Sequence, residues 1–157
     1  MQDLISNVAE QLLAKHQFLA VAESCTGGWL SKVCTDLPGS SKWFERGYIT
    51  YSNRAKVQML GVNENTLDIY GAVSEQTVRE MVVGALSNNG AHWGIAISGV
   101  AGPEGGTRIN PVGTVWFAWL ESGRTPVSIK KRFKGGREKI RQRSVEFALE
   151  ELLKLLK

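Results

Sequence analysis

The sequence has little with which to build metal, disulfide or membrane chemistry. It contains two cysteines, Cys25 and Cys34, too few for a disulfide framework and wrongly spaced for a zinc site. Its two histidines, His16 and His92, each precede a short apolar run that reads as a strand. That places both at the end of the sheet away from the glycine-bearing turns, so a Ser-His-Asp triad is not expected and both are read as structural. The longest apolar runs, such as Ile95 to Ile97 and Ala118 to Leu120, are far too short to span a bilayer. Met1-Gln2-Asp3-Leu4 lacks the basic and apolar regions of a signal peptide, so the cytoplasm is the expected location and no membrane is an expected partner. Neither the G-x-x-x-x-G-K-[ST] phosphate loop nor the G-x-G-x-x-G dinucleotide fingerprint is present.

What is there fits one ordinary domain, residues 1–157, with 43% apolar and 22% charged residues, enough for a hydrophobic core. The net charge of +4 is concentrated between Lys130 and Arg143, where Lys130, Lys131, Arg132, Lys134, Arg137, Lys139, Arg141 and Arg143 face only Glu138. So compact a basic cluster suits a phosphate-bearing small molecule as well as a polymer, and part of it reads as a solvated face.

Periodicity organises the chain. Leu4, Ile5, Val8, Leu12 and Leu13 mark a helix over Leu4 to Ala14, and Phe18 to Ala22 reads as a buried strand. Gly27-Gly28 opens a helix from Trp29 to about Thr35, with Thr26 or Ser24 as its cap. Trp43 to Tyr51 has strand character, Asn53 starts a short helix closed by Gly61, and Asn63 to Gly71 reads as irregular or one helical turn. Ser74-Glu75 begins an amphipathic helix with Val78, Met81, Val82 and Leu86 on its stripe, ending at Asn88-Asn89-Gly90. Trp93 to Ser98 is a strand that runs into a glycine-rich loop from Gly99 to Gly113. Thr114 to Trp119 and Val127 to Phe133 form a hairpin, and Arg137 to Leu156 a final helix. Interleaved helices and strands with a terminal antiparallel pair predict an α/β fold: a three-layer α/β/α sandwich on a mixed, mostly parallel sheet with an antiparallel hairpin.

In such sheets ligands gather beyond the carboxyl ends of parallel strands. Two segments qualify, Ser24 to Gly28 after the first strand and Ser98 to Gly106 after the strand Trp93 to Ile97. Gly27 and Gly28 at a helix start offer backbone N–H groups to a phosphate or oxyanion, although a tight turn also needs glycine for sterics. With no histidine in reach, the base for a hydroxyl nucleophile is a lysine whose pKa is lowered by burial. Lys56, on the short helix after Tyr51-Ser52-Asn53, is best placed, and Tyr51 and Lys56 share a crevice with Ser24 in this arrangement. Spacing alone does not establish the pair. Cys25 is the rival nucleophile, but no partner is available to form its thiolate, and it reads as a small packing residue.

Ala22-Glu23-Ser24-Cys25-Thr26-Gly27-Gly28, Trp43-Phe44-Glu45-Arg46-Gly47 with Tyr51-Ser52-Asn53 and Lys56, Gly71-Ala72-Val73-Ser74, Ser98-Gly99-Val100-Ala101-Gly102-Pro103 and Pro111-Val112-Gly113-Thr114-Val115 together resemble the C-terminal domain of the CinA (competence/damage-inducible) family. The resemblance runs in order over essentially the whole chain and looks like the stand-alone form, with no appended N-terminal domain. It implies the three-layer fold and an amidase that hydrolyses the carboxamide of nicotinamide mononucleotide (NMN), giving nicotinic acid mononucleotide and ammonia in pyridine nucleotide recycling, without metal or cofactor. It further implies Ser24, Tyr51 and Lys56 as the catalytic serine, tyrosine and lysine, with Lys56, assisted by Tyr51, taking the proton from Ser24. On this reading the backbone of Thr26, Gly27 and Gly28 stabilises the oxyanion and Ser98 and Gly99 contact substrate. Arg137 and Arg141 hold the phosphate, and the region of Trp43, Tyr48 and Tyr51 forms an aromatic wall for the pyridine ring. Relatives imply a homodimer. Two alternatives remain: a non-catalytic mononucleotide sensor on the same fold, and a nucleic-acid module using Lys130 to Arg143. The second lacks any recognition motif, so no nucleic-acid partner is expected.

Overall fold

The computed structural model describes residues 1–87 and 89–157. An inner strand of its sheet, β1 (Leu19–Glu23), is buried along its whole length, as expected for a short continuous apolar run. It pairs in parallel with β2 (Phe44–Ile49) on one side and β3 (Trp93–Gly99) on the other. β4 (Thr114–Glu121) is antiparallel to β3 and β5 (Val127–Arg132) is antiparallel to β4, giving the order β2-β1-β3-β4-β5. The expected mixed sheet with a terminal hairpin is therefore observed.

The two faces of the sheet differ in side-chain size, and that difference sets the layers. Leu19, Val21, Ile95, Ile97, Phe117 and Trp119 point into a thick core under α1 (Gln2–Ala14), α2 (Trp29–Asp36) and α6 (Arg137–Leu155). The opposite face carries Ala22, Ala96 and Ala118, which lets α5 (Glu75–Leu86) lie close against the strands. With it pack α3 (Asn53–Leu60) and α4 (Glu64–Tyr70). The α3–α5 approach is so tight that a Cβ on Gly84 would sit 2.0 Å from the Leu60 carbonyl oxygen.

Several boundaries differ from the expectation. β2 ends at Ile49 rather than Tyr51, because Ser52 caps α3 by accepting a hydrogen bond from the Ala55 N–H at 3.0 Å. Trp43 lies outside β2 and fills the core at the sheet's amino end, 1% exposed. The segment read as irregular or one helical turn folds into α4, a helix of 7 residues. Asn63 caps this helix, and Glu80 on α5 accepts from the Asn63 N–H (2.7 Å) and the Thr66 hydroxyl (2.5 Å). α5 stops at Leu86, short of the expected Asn88-Asn89-Gly90, of which Asn88 lies outside the described residues. Among the described residues no helix is long and apolar enough to cross a membrane.

Candidate active site

β1 ends in an acid, Glu23, and that residue organises the turn that follows. Its carboxylate is fully buried. One oxygen accepts from the N–H groups of Gly28 (3.1 Å) and Leu30 (3.0 Å), the other from the Ser31 N–H (2.8 Å) and hydroxyl (2.7 Å). The open N–H groups at the start of α2, which would otherwise attract an anion, are thus capped by the chain's own carboxylate. The Gly27 N–H donates to the Ser24 carbonyl at 3.0 Å. The amides of Gly27 and Gly28 are therefore occupied, which overturns the geometric basis for expecting an oxyanion or phosphate on them. Their left-handed φ values of +60° and +95° supply the reason for glycine at both positions.

This turn fixes Ser24, whose N–H extends the β1–β3 ladder by donating to the Ile97 carbonyl at 3.0 Å. Lys56 enters from α3 with no solvent exposure. Its Nζ lies 3.1 Å from Ser24 Oγ and donates to the Thr50 carbonyl at 2.8 Å. Burial lowers the pKa of this amine to about 8, because a charged ammonium is poorly solvated there. Burial also raises the neighbouring Cys25 thiol to about 12, leaving it protonated and a poor nucleophile. Both cysteines are free and buried.

Above the Ser24–Lys56 pair opens a cleft of about 280 Å³, and its lining includes Tyr51, Ser98, Gly99, Glu104 and Arg137. Arg137 bridges the mouth, donating to the Gly102 carbonyl (2.8 Å) and to the Tyr51 hydroxyl (3.0 Å). The Tyr51 hydroxyl is thus engaged by Arg137 and makes no hydrogen bond to Ser24 or Lys56 among the described residues. Ser98 spends its hydroxyl on the Ala72 carbonyl at 2.7 Å, bracing the opposite wall.

Of the residues expected at the site, the fold gathers Ser24, Tyr51, Lys56, Ser98, Gly99 and Arg137 around one cleft. It does not bring the others there. Thr26 has no exposed surface. Tyr48 packs on the α5 side of the sheet, near Asn89, and Trp43 is in the core at the far end, so the expected aromatic wall reduces to Tyr51. Arg141 lies behind the turn, bonded to the carbonyls of Cys25 and Thr26. The histidines sit at the amino end of the sheet, where His92 Nδ1 accepts from the Phe18 N–H at 3.1 Å. Sequence reasoning missed Glu23 and Glu104. An acid between a buried strand and a helix start is a capping signal that was available for the first; nothing in the spacing marked the second.

Comparison with known proteins places the whole chain beside one family. The model of the CinA C-terminal domain matches residues 1–156. The chain is 47% identical over 152 residues to the nicotinamide-nucleotide amidohydrolase PncC of Escherichia coli K12, covering 97% of this chain and 92% of that protein. It is 46% identical over 152 residues to the PncC of Pseudomonas putida, covering 97% and 94%. The crystal structure of a CinA superfamily protein from Klebsiella pneumoniae superposes with a TM-score of 0.95 at 41% identity, covering 99% of this chain and 96% of that one.

Proposed function

Because the chain belongs to the CinA C-terminal domain family, we propose that it is a nicotinamide-nucleotide amidohydrolase that works through Ser24 and Lys56. The observation that carries the mechanism is the buried Lys56 amine 3.1 Å from the Ser24 hydroxyl. With a pKa of about 8, about one amine in ten is neutral at pH 7 and able to act as a base. Neutral Lys56 takes the Ser24 proton as Oγ attacks the carboxamide carbon of NMN, giving a tetrahedral oxyanion and a Lys56 ammonium. Collapse breaks the C–N bond, and the ammonium returns its proton to the departing nitrogen, which leaves as ammonia. Water, deprotonated by the same amine, then cleaves the acyl-serine to nicotinic acid mononucleotide.

Arg137 at the mouth takes the phosphate in a charge-assisted contact. In doing so it releases the Tyr51 hydroxyl toward the leaving group. Gly99 contacts the substrate through its main chain. The reading includes one amidase domain over residues 1–157, a homodimer and a cytoplasmic location, checked by light scattering and cell fractionation. Its direct test is ammonia release from NMN by the purified protein. Wild type turns over, and Ser24→Ala abolishes turnover with the fold intact by circular dichroism. Undiminished activity in Ser24→Ala removes the serine from the mechanism, and a silent wild type that still binds the mononucleotide makes the protein a sensor.

A further inference from the structure

Arg141 was expected to bind phosphate, yet its donors point elsewhere. From the first turns of α6 its Nε donates to the Cys25 carbonyl at 3.0 Å and its Nη2 to the Thr26 carbonyl at 2.9 Å. The guanidinium also lies over the Trp29 ring, 5.3 Å from the centroid, a cation–π contact that fixes its plane. A Cβ on Gly27 would stand 3.3 Å from Nη2, so the turn and the guanidinium are fitted closely to one another. Arg141 does not line the cleft, whereas Cys25 does.

Peptide planarity converts these contacts into a statement about the nucleophile. In a trans peptide the C=O and the following N–H point in opposite directions. The Ser24 carbonyl is turned inward to accept from the Gly27 N–H, so the Cys25 N–H projects from the other side of the turn. Apart from its own thiol, that N–H has no acceptor among the described residues. The amides of Gly27 and Gly28 are already occupied and Thr26 is sealed from the cleft, which leaves Cys25 as the turn's donor beside Ser24 Oγ. Arg141 pins the two carbonyls immediately after it.

On the amidase reading above, we infer that Arg141 is a positioning residue for catalysis rather than a phosphate ligand. By gripping the Cys25 and Thr26 carbonyls from behind, it holds the Cys25 N–H toward the oxyanion formed at Ser24.

The experiment compares turnover of NMN with binding of the phosphate-bearing product, nicotinic acid mononucleotide, by calorimetry. Wild type is assayed first, so that failure of the amidase reading shows as absent ammonia before any variant is made. Arg141→Gln lowers kcat about 100-fold, the scale of losing one oxyanion donor, while the product Kd stays within threefold of wild type. Arg141→Lys, which keeps the charge but loses the two-point grip, recovers part of kcat and carries the same comparison should the glutamine variant fail to fold. A loss of product affinity equal to or larger than the loss of kcat, or an unchanged kcat, overturns the inference.

Discussion

Glu23 and Lys56 stand on either side of Ser24, one preceding it in the chain and the other against its hydroxyl, and neither is exposed to solvent. Burying an ionisable group costs free energy unless hydrogen bonds replace its lost water. Glu23 receives four such bonds, from Gly28, Leu30 and the N–H and hydroxyl of Ser31. Among the described residues Lys56 has only the Ser24 hydroxyl and the Thr50 carbonyl, neither of them charged. The saturated carboxylate is a structural anion, tying the end of β1 to the start of α2. The undersupplied amine is held close to the point of losing its proton, as a general base must be. The fold thus uses two buried ionisable groups for opposite purposes around one residue, Ser24, and the number and charge of their partners distinguishes them.

The most severe way to break this contrast is to remove the amine. Lys56→Met eliminates turnover, a fall of about 10⁴-fold or more in kcat, and raises the melting temperature because an under-solvated amine leaves the interior. Loss of stability in that variant would mean that Lys56 is structural in the same sense as Glu23. In wild type kcat/KM for NMN rises with pH through about 8, since the neutral amine is the active form. The folded pKa lies below the value of 10.5 for a free lysine, so between about 8 and 10.5 the unfolded chain holds the additional proton. Stability from this group therefore increases with pH across that window, and Lys56→Met removes that dependence.

Removing the carboxylate has the complementary signature. Glu23→Ala leaves the N–H groups of Gly28, Leu30 and Ser31 without their acceptor, costing about 3–5 kcal/mol and lowering the melting temperature by roughly 10 °C or more. Activity falls with the folded fraction and with disorder of the Ser24 turn, and the pH midpoint near 8 remains where it was. Thermal denaturation and a pH profile on one preparation separate the two effects. A stable Glu23→Ala protein with a displaced midpoint would place the carboxylate in the proton chemistry after all.

One side of this contrast was more legible in the sequence than the other. With His16 and His92 at the wrong end of the sheet, lysine was the base left and strand-to-helix order put Lys56 within reach, but its pairing with Ser24 came from the family resemblance. The layers were legible because helices and strands interleave along the chain, a pattern that local periodicity records. The role of Glu23 is not legible within its motif, since its partners depend on how the chain turns after β1. Arg141 meets Cys25 and Thr26 across 116 and 115 residues, which no local pattern records. Tyr48 and Trp43 were grouped with Tyr51 by proximity in sequence. Strand alternation and the early burial of Trp43 in fact send them to other faces of the molecule.

The finest test of the saturated carboxylate removes one donor in four. Ser31→Ala deletes the hydroxyl that bonds Glu23 at 2.7 Å and leaves the Ser31 N–H bond at 2.8 Å in place. The hydroxyl also packs where a Cβ on Gly47 of β2 would sit, 2.2 Å from it, so its loss leaves a small gap rather than a clash. The carboxylate keeps its three main-chain donors, and the turn keeps its shape. The cost is about 1 kcal/mol, a drop of about 2–4 °C in melting temperature for a chain of this size, with kcat for NMN within twofold of wild type. If kcat instead falls tenfold while the melting temperature barely moves, the hydrogen bonds around Glu23 tune the chemistry at Ser24 directly, and the division between a structural anion and a catalytic amine fails at its structural end.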